Sequence, residues 1–204
     1  MNKKSIQLLI ILLLGGFLMA CSQYPEEDVQ YEQYLSQDNP VVTIEIKNHG
    51  TIQVELFYDV APNTVNNFIH HVNNGYYDGL IFHRVIEGFM IQGGWGEPVP
   101  CAIAGDFLAN GVANPLKHTR GVISMARTMD PNSATTQFFI MHNDYPSLDG
   151  NYAAFGGVIK GFNVIDKIAT TTTGMQDRPV SDIVITKMTV DTKGLTITPP
   201  VCFE

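Results

Sequence analysis

Between Val41 and Val190 the chain breaks into eight short strand-like runs and only two stretches with helical spacing. Val41–Lys47 and Thr51–Phe57 alternate apolar and polar residues with period two, and Asn48-His49-Gly50 joins them as a β-hairpin. Further short strands are predicted at Leu80–Val85, Phe89–Gln92, Gly121–Ala126, Gln137–Met141, Ala153–Ile159 and Ile183–Val190. The first helix opens at Ala61-Pro62-Asn63-Thr64, with proline in the first turn, where its missing N–H leaves no bond unmade. Val65, Phe68, Ile69 and Val72 form its apolar stripe, and Asn73-Asn74-Gly75 ends it. The second helix runs from Phe162 to Ala169. Strands and helices do not alternate as βαβ units require, so the pattern predicts a mainly β fold with a closed antiparallel sheet. The chain has no internal repeats.

The residues ahead of Val41 follow different rules. Lys3 and Lys4 precede an apolar run, Ile6–Leu18, broken only by Gln7 and Gly15-Gly16. That run is about 13 residues, short of the roughly 20 that a spanning helix needs, so residues 1–20 read as a cleaved signal. Leu18-Met19-Ala20-Cys21 resembles a lipobox, which makes Cys21 the expected lipid attachment site. Several acyl chains on one cysteine, palmitate among them, would hold the protein on a membrane without spanning it. Ser22–Pro40 is acidic, contains three tyrosines and lacks any period. Residues 21–40 therefore read as a lipidated cysteine and a flexible tether of roughly 25 Å, with packing of the tyrosines on the domain as the alternative. Residues 41–192 form one domain, and residues 193–204 a short tail.

Cleavage would remove Lys3 and Lys4 and no acid, taking the formal charge from −8 to about −10. No Lys/Arg cluster remains, which argues against nucleic acid as a partner. Besides Cys21 only Cys101 and Cys202 are present; they could pair in an exported protein, but two residues make no disulfide framework, and the expectation is that they stay apart. His70 and His71, being adjacent, should face different ways as a surface pair rather than a metal site.

The segment Phe82-His83-Arg84-Val85-Ile86-Glu87-Gly88-Phe89-Met90-Ile91-Gln92-Gly93-Gly94 sets an arginine and a glutamine eight residues apart among apolar side chains. An arginine facing inward there would be a buried cation, costly unless it has a partner or a task. Nothing nearby resembles a nucleophile, a metal ligand set or a phosphate loop, which points to binding and electrostatics rather than covalent chemistry. Taken singly, Phe89, Phe139 and Leu148 read as core, Met90 as a gap filler, Arg84 equally as a structural ion pair or a functional group, and Gln92 and Gln137 as partners for backbone groups. His83 should face away from Arg84 in a hydrogen-bonded structural role, and Trp95 should pack a loop.

Read together and in order, Phe82-His83-Arg84, Gly88–Gly94, Gly121–Arg127, Gln137-Phe138-Phe139-Ile140, Leu148-Asp149-Gly150 and Phe155-Gly156 resemble the motifs of the cyclophilins, a family of peptidyl-prolyl cis-trans isomerases. Arg127-Thr128-Met129-Asp130-Pro131-Asn132-Ser133 is similar to the bacterial branch. The resemblance implies an eight-stranded antiparallel barrel capped by two helices and an isomerase that needs neither cofactor nor metal. It implies Arg84 as the catalytic arginine with Gln92 beside it. Phe89, Met90, Phe139 and Leu148 would line a proline pocket, and Ala126, Arg127 and Gln137 would border the groove for residues before the proline. Many eukaryotic relatives carry a tryptophan where this chain has Ser147, which implies weak inhibition by cyclosporin, and a pocket histidine where it has Tyr152, which could still cover the proline ring and offer a hydroxyl. The segment Trp95–Asn114 also departs from the family's glycine-rich loop. The expected partners are proline-containing polypeptides, above all unfolded exported proteins, met by a monomer held outside the cytoplasm by its lipid anchor. A module that binds proline segments, with incidental turnover, is the alternative.

Overall fold

The structure is a computed structural model that describes residues 25–203. The predicted signal and Cys21 lie outside the described residues. All eight predicted strands and both helices are present, with ends displaced by a few residues: β1 Val41–Ile46, β2 Gly50–Leu56, α1 Pro62–Asn73, β3 Phe82–Ile86, β4 Met90–Gly93, β5 Val122–Met125, β6 Phe138–Met141, β7 Ala154–Lys160, α2 Phe162–Ala169 and β8 Ile185–Asp191. They form one antiparallel sheet in the order β3-β4-β6-β5-β7-β2-β1-β8. The two edge strands meet just beyond the start of each, through the Ile81–Val184 bridge and three main-chain bonds: Phe82 N–H to Ile183 O at 3.0 Å, Ile185 N–H to Leu80 O at 2.8 Å and Gly79 N–H to Ile185 O at 2.8 Å. The sheet thus curls into a barrel, but its last seam is a short contact at the strand ends and not a full ladder, so closure is looser than expected.

Alternation decides what lies inside. Val42, Ile44 and Ile46 of β1 and Ile52, Val54 and Leu56 of β2 are buried, as period two requires. Helix α1 covers one end of this core with Val65, Phe68, Ile69 and Val72, and Phe68 packs its ring against Tyr77, Phe138 and Phe155. Ala61 at the start of α1 has no side chain to cap it. Asp106, from the unusual loop, does so instead, accepting from Thr64 N–H at 2.8 Å and from the Thr64 hydroxyl at 2.7 Å. No helix among the described residues is long and apolar enough to cross a membrane.

Three expectations need correction. Cys101 and Cys202 are joined, with Cα atoms 5.7 Å apart across a sequence separation of 101. The C-terminal residues are accordingly not a free tail: Asn63 Oδ1 accepts from Val201 N–H at 2.9 Å, and Ala102 O accepts from Phe203 N–H at 2.8 Å. Nor are residues 25–40 a tether. Tyr31 is fully buried and donates its hydroxyl to Val158 O at 2.7 Å, while Arg120 pairs with Glu27 at 2.9 Å and with Asp166 at 2.8 Å. Further along, Glu55 accepts from Ser36 N–H at 2.6 Å and from the Asn39 amide at 2.8 Å. The segment packs because the domain keeps a slot for it: a Cβ on Gly157 would collide with the Tyr31 ring.

His71 is also not a surface residue. It is buried at the end of α1, within 3.2 Å of Asn67 Oδ1, and burial pushes its imidazole down to about 4. The unfolded chain takes up this proton first, near pH 6.5, so the stabilising contribution is complete above that value and is lost as pH falls toward 4. Between those limits the loss is about 3 kcal/mol. Urea unfolding of wild type and His71→Gln should converge by that amount on acidification from pH 7 to pH 4; a gap that ignores pH would refute the assignment.

Candidate active site

The β3–β4 hairpin explains why residues eight apart in sequence act side by side. Its turn uses Gly88 in the left-handed region at φ 75°, and its register places Arg84 opposite Gln92. Gln92 in turn lies opposite Phe139 of β6, and Phe139 opposite Ser124 of β5. One row across four strands therefore carries the guanidinium, the amide, the aromatic ring and a hydroxyl.

A cavity of about 280 Å³ opens over this row, lined by Arg84, Phe89, Met90, Gln92, Ala126, Arg127, Phe139, Leu148 and Tyr152. Of the residues selected from sequence, only Gln137 is not on its wall. It stands directly behind, accepting from the Gln92 amide at 3.1 Å, while its carbonyl accepts from Ala126 N–H at 2.9 Å. Met90 and Phe139 are buried and form the floor. Phe89 is half-buried and packs on Tyr145, with ring centroids 4.4 Å apart.

Arg84 differs from its expected setting. It is not a buried cation; its side chain stands at the rim, 41% exposed, which spares it most of the desolvation cost. Gln92 Oε1 accepts from Nη1 at 3.5 Å, and the Asp177 carboxylate lies 3.5 Å from Nε. Asp177 was not legible in the sequence, because a loop far along the chain supplies it. Arg127 plays a covering part. Its guanidinium lies 4.5 Å above the Tyr152 ring and donates to Asn151 O at 2.8 Å, clamping Tyr152 against the cavity.

A buried polar chain behind Phe139 was also missed. His118 stacks on Phe139, lies 3.1 Å from Ser124 Oγ through Nε2, and meets Asp149 Oδ1 at 3.1 Å through Nδ1. The order Ser–His–Asp resembles a nucleophilic triad, but Ser124 is fully buried and no substrate reaches its hydroxyl. Burial holds the His118 pKa down despite Asp149. The group braces the pocket floor and explains why Asp149 follows Leu148. His83 is half-buried with Nδ1 unpartnered, and meets Trp95 edge-on at 5.9 Å; Trp95 itself is largely exposed rather than packed into its loop.

The site thus offers an apolar recess of ring size, a permanent cation at its lip with spare N–H donors, and an amide beside it. That arrangement can hold a compact ring and polarise an atom at its edge. The comparisons agree. Residues 41–190 match the family model described as cyclophilin type peptidyl-prolyl cis-trans isomerase/CLD. The chain is 45% identical to peptidyl-prolyl cis-trans isomerase B of Escherichia coli over 156 residues, covering 70% of this chain and 95% of that one. It is 34% identical over 190 residues to a putative peptidyl-prolyl cis-trans isomerase of Staphylococcus haemolyticus, covering 77% and 94%. A crystal structure of a cyclophilin type isomerase from Cryptosporidium parvum superposes with a TM-score of 0.68 at 30% identity, covering 75% of this chain and 98% of that one. A second crystal structure of that protein, in the presence of the dipeptide ala-pro, gives a TM-score of 0.67 at 30% identity, covering 74% and 98%.

Proposed function

This chain belongs to the cyclophilin-type peptidyl-prolyl cis-trans isomerases, and we propose that it turns over X-Pro bonds of exported proteins from a lipid anchor on the outer face of a membrane. The observation that carries the catalytic part is Arg84 at the lip of an apolar recess, with Gln92 beside it. Rotation about an X-Pro bond faces a barrier of about 18–20 kcal/mol and takes tens of seconds or more unaided. No bond breaks, so the reaction asks for no acid, base or nucleophile. In the twisted transition state the amide loses resonance and the prolyl nitrogen regains its lone pair. A donor aimed at that nitrogen stabilises the transition state more than either planar isomer.

Arg84 suits the role because its charge is permanent and its donors are rigidly arranged. Met90 and Phe139 form the recess for the ring, with Phe89, Leu148 and Tyr152 around it, and they keep water from the developing hydrogen bond. Ala126, Arg127 and Gln137 border the path of the residues before the proline. The Cryptosporidium relative studied with ala-pro supports a proline ligand for this recess. Exchange between cis and trans isomers of an Ala-Pro peptide, followed by NMR without a coupled protease, should become fast on adding the purified domain; unaltered exchange would dismiss the reading.

Lipidation at Cys21 supplies the location, on the motif Leu18-Met19-Ala20-Cys21. Because Glu26 is held on the domain, donating its N–H to Ile159 O at 3.1 Å and accepting from Gly161 N–H at 2.9 Å, five peptide steps separate Cys21 from that contact, at most about 18 Å of chain. The enzyme would work close against the membrane as a monomer. Cys21→Ala should move it from the membrane fraction to the soluble fraction, and undiminished retention would refute the anchor.

A further inference from the structure

The loop between α2 and β8 reaches back to the site in an uncommon conformation. It closes on itself through the Thr173–Pro179 bridge, with Gly174 N–H donating to Arg178 O at 2.8 Å and Val180 N–H to Thr172 O at 3.0 Å. At its tip Gln176 and Asp177 are both left-handed, each with φ 58°. Two consecutive non-glycine residues in that region are rare, and such outliers persist where the surroundings hold them for a purpose. The purpose visible here is the placement of one carboxylate: the turn packs against β3, and Asp177 Oδ2 lies 3.5 Å from Arg84 Nε.

We propose that Asp177 is a positioning residue that orients the Arg84 guanidinium for isomerisation. The arginine is then held on two edges. Nε lies near the carboxylate and Nη1 faces the Gln92 oxygen, so two different nitrogens of the group are engaged from two sides. A guanidinium is planar, so contacts to two of its nitrogens fix the plane and with it the direction of the remaining N–H donors offered to the substrate. Gln92 is itself held by Gln137, which makes the row Asp177, Arg84, Gln92 and Gln137 a continuous brace across the site. With side chains 41% and 47% exposed, the pair contributes little to stability. Its consequence is orientation, and orientation governs kcat.

The inference rests on Arg84 acting as the catalytic donor, and the test separates the two. Asp177→Asn keeps size and tolerates the left-handed backbone while removing the charge. It should lower kcat/KM for a proline tetrapeptide by roughly three- to tenfold, chiefly through kcat, with the thermal midpoint unchanged. Asp177→Glu should recover part of the rate. In an Arg84→Ala background the same substitution should change kcat/KM by less than about twofold, because nothing remains to orient. An Asp177→Asn enzyme of wild-type or higher rate overturns the inference, as does an equal loss in both backgrounds. If Arg84→Ala alone is fully active, the underlying reading of the site fails instead.

Discussion

Replacing Arg84 by alanine is expected to lower kcat/KM for a proline-containing tetrapeptide by at least about tenfold, which corresponds to about 1.4 kcal/mol of lost transition-state stabilisation. The bound is set low on purpose. Removing one preorganised donor from an oxyanion site costs roughly a hundredfold or more, but there the charge is full, whereas the prolyl nitrogen regains only a lone pair. The loss should fall on kcat more than on KM, since the ring is held by Met90, Phe139 and Leu148 and not by the guanidinium. The fold should survive, because Arg84 stands at the rim and its polar partners, Asp177 and Gln92, are both half-buried rather than part of the core. Arg84→Lys should recover little, as a point charge cannot face an acid, an amide and a substrate from one plane. Wild-type turnover by Arg84→Ala, with near-UV spectra unchanged, would remove the arginine from the mechanism and leave a proline-binding recess.

What could be read from the chain alone divides along one physical line. Arg84 and Gln92 were legible through the ordered motifs that resemble the cyclophilins, and the structure supplies the reason they act together: a tight hairpin converts a spacing of eight into adjacency. Helix α2 was found at its observed limits, Phe162–Ala169, because its apolar spacing is local. Asp106 capping α1, Asp177 against Arg84, the His118 brace and the Cys101–Cys202 bond were not legible from local pattern, since each joins segments that only the barrel brings together. The exposure of Arg84 was misjudged for the same reason. Alternation assigns a face of the strand, but whether that face is sealed or opens on a cleft depends on what packs over it. Residues 25–40 show the opposite failure: a polar composition hid one aromatic side chain with a dedicated socket.

That socket sets the largest effect on stability. Tyr31→Ala is expected to cost about 3–5 kcal/mol in urea unfolding, the range for removing a fully buried aromatic side chain. The ring fills a space that Gly157 and Gly121 leave open, and its hydroxyl satisfies Val158 O at 2.7 Å. Deleting the side chain leaves both a cavity and an orphaned buried acceptor. Gly157→Ala provides the reciprocal test. Its Cβ would meet the Tyr31 ring, so it should expel the strap and destabilise the wild type, yet cost much less once Tyr31 is already alanine. The two losses should therefore be strongly non-additive. Proteolysis should show the same event directly: cleavage within residues 25–40, slow in the wild type, should become rapid in either single variant while the barrel stays resistant. Additive losses, or a Tyr31→Ala midpoint equal to wild type, would return this segment to the status of a tether. Catalysis on a short peptide should be nearly untouched in both variants, because the cavity walls contain no residue of the strap.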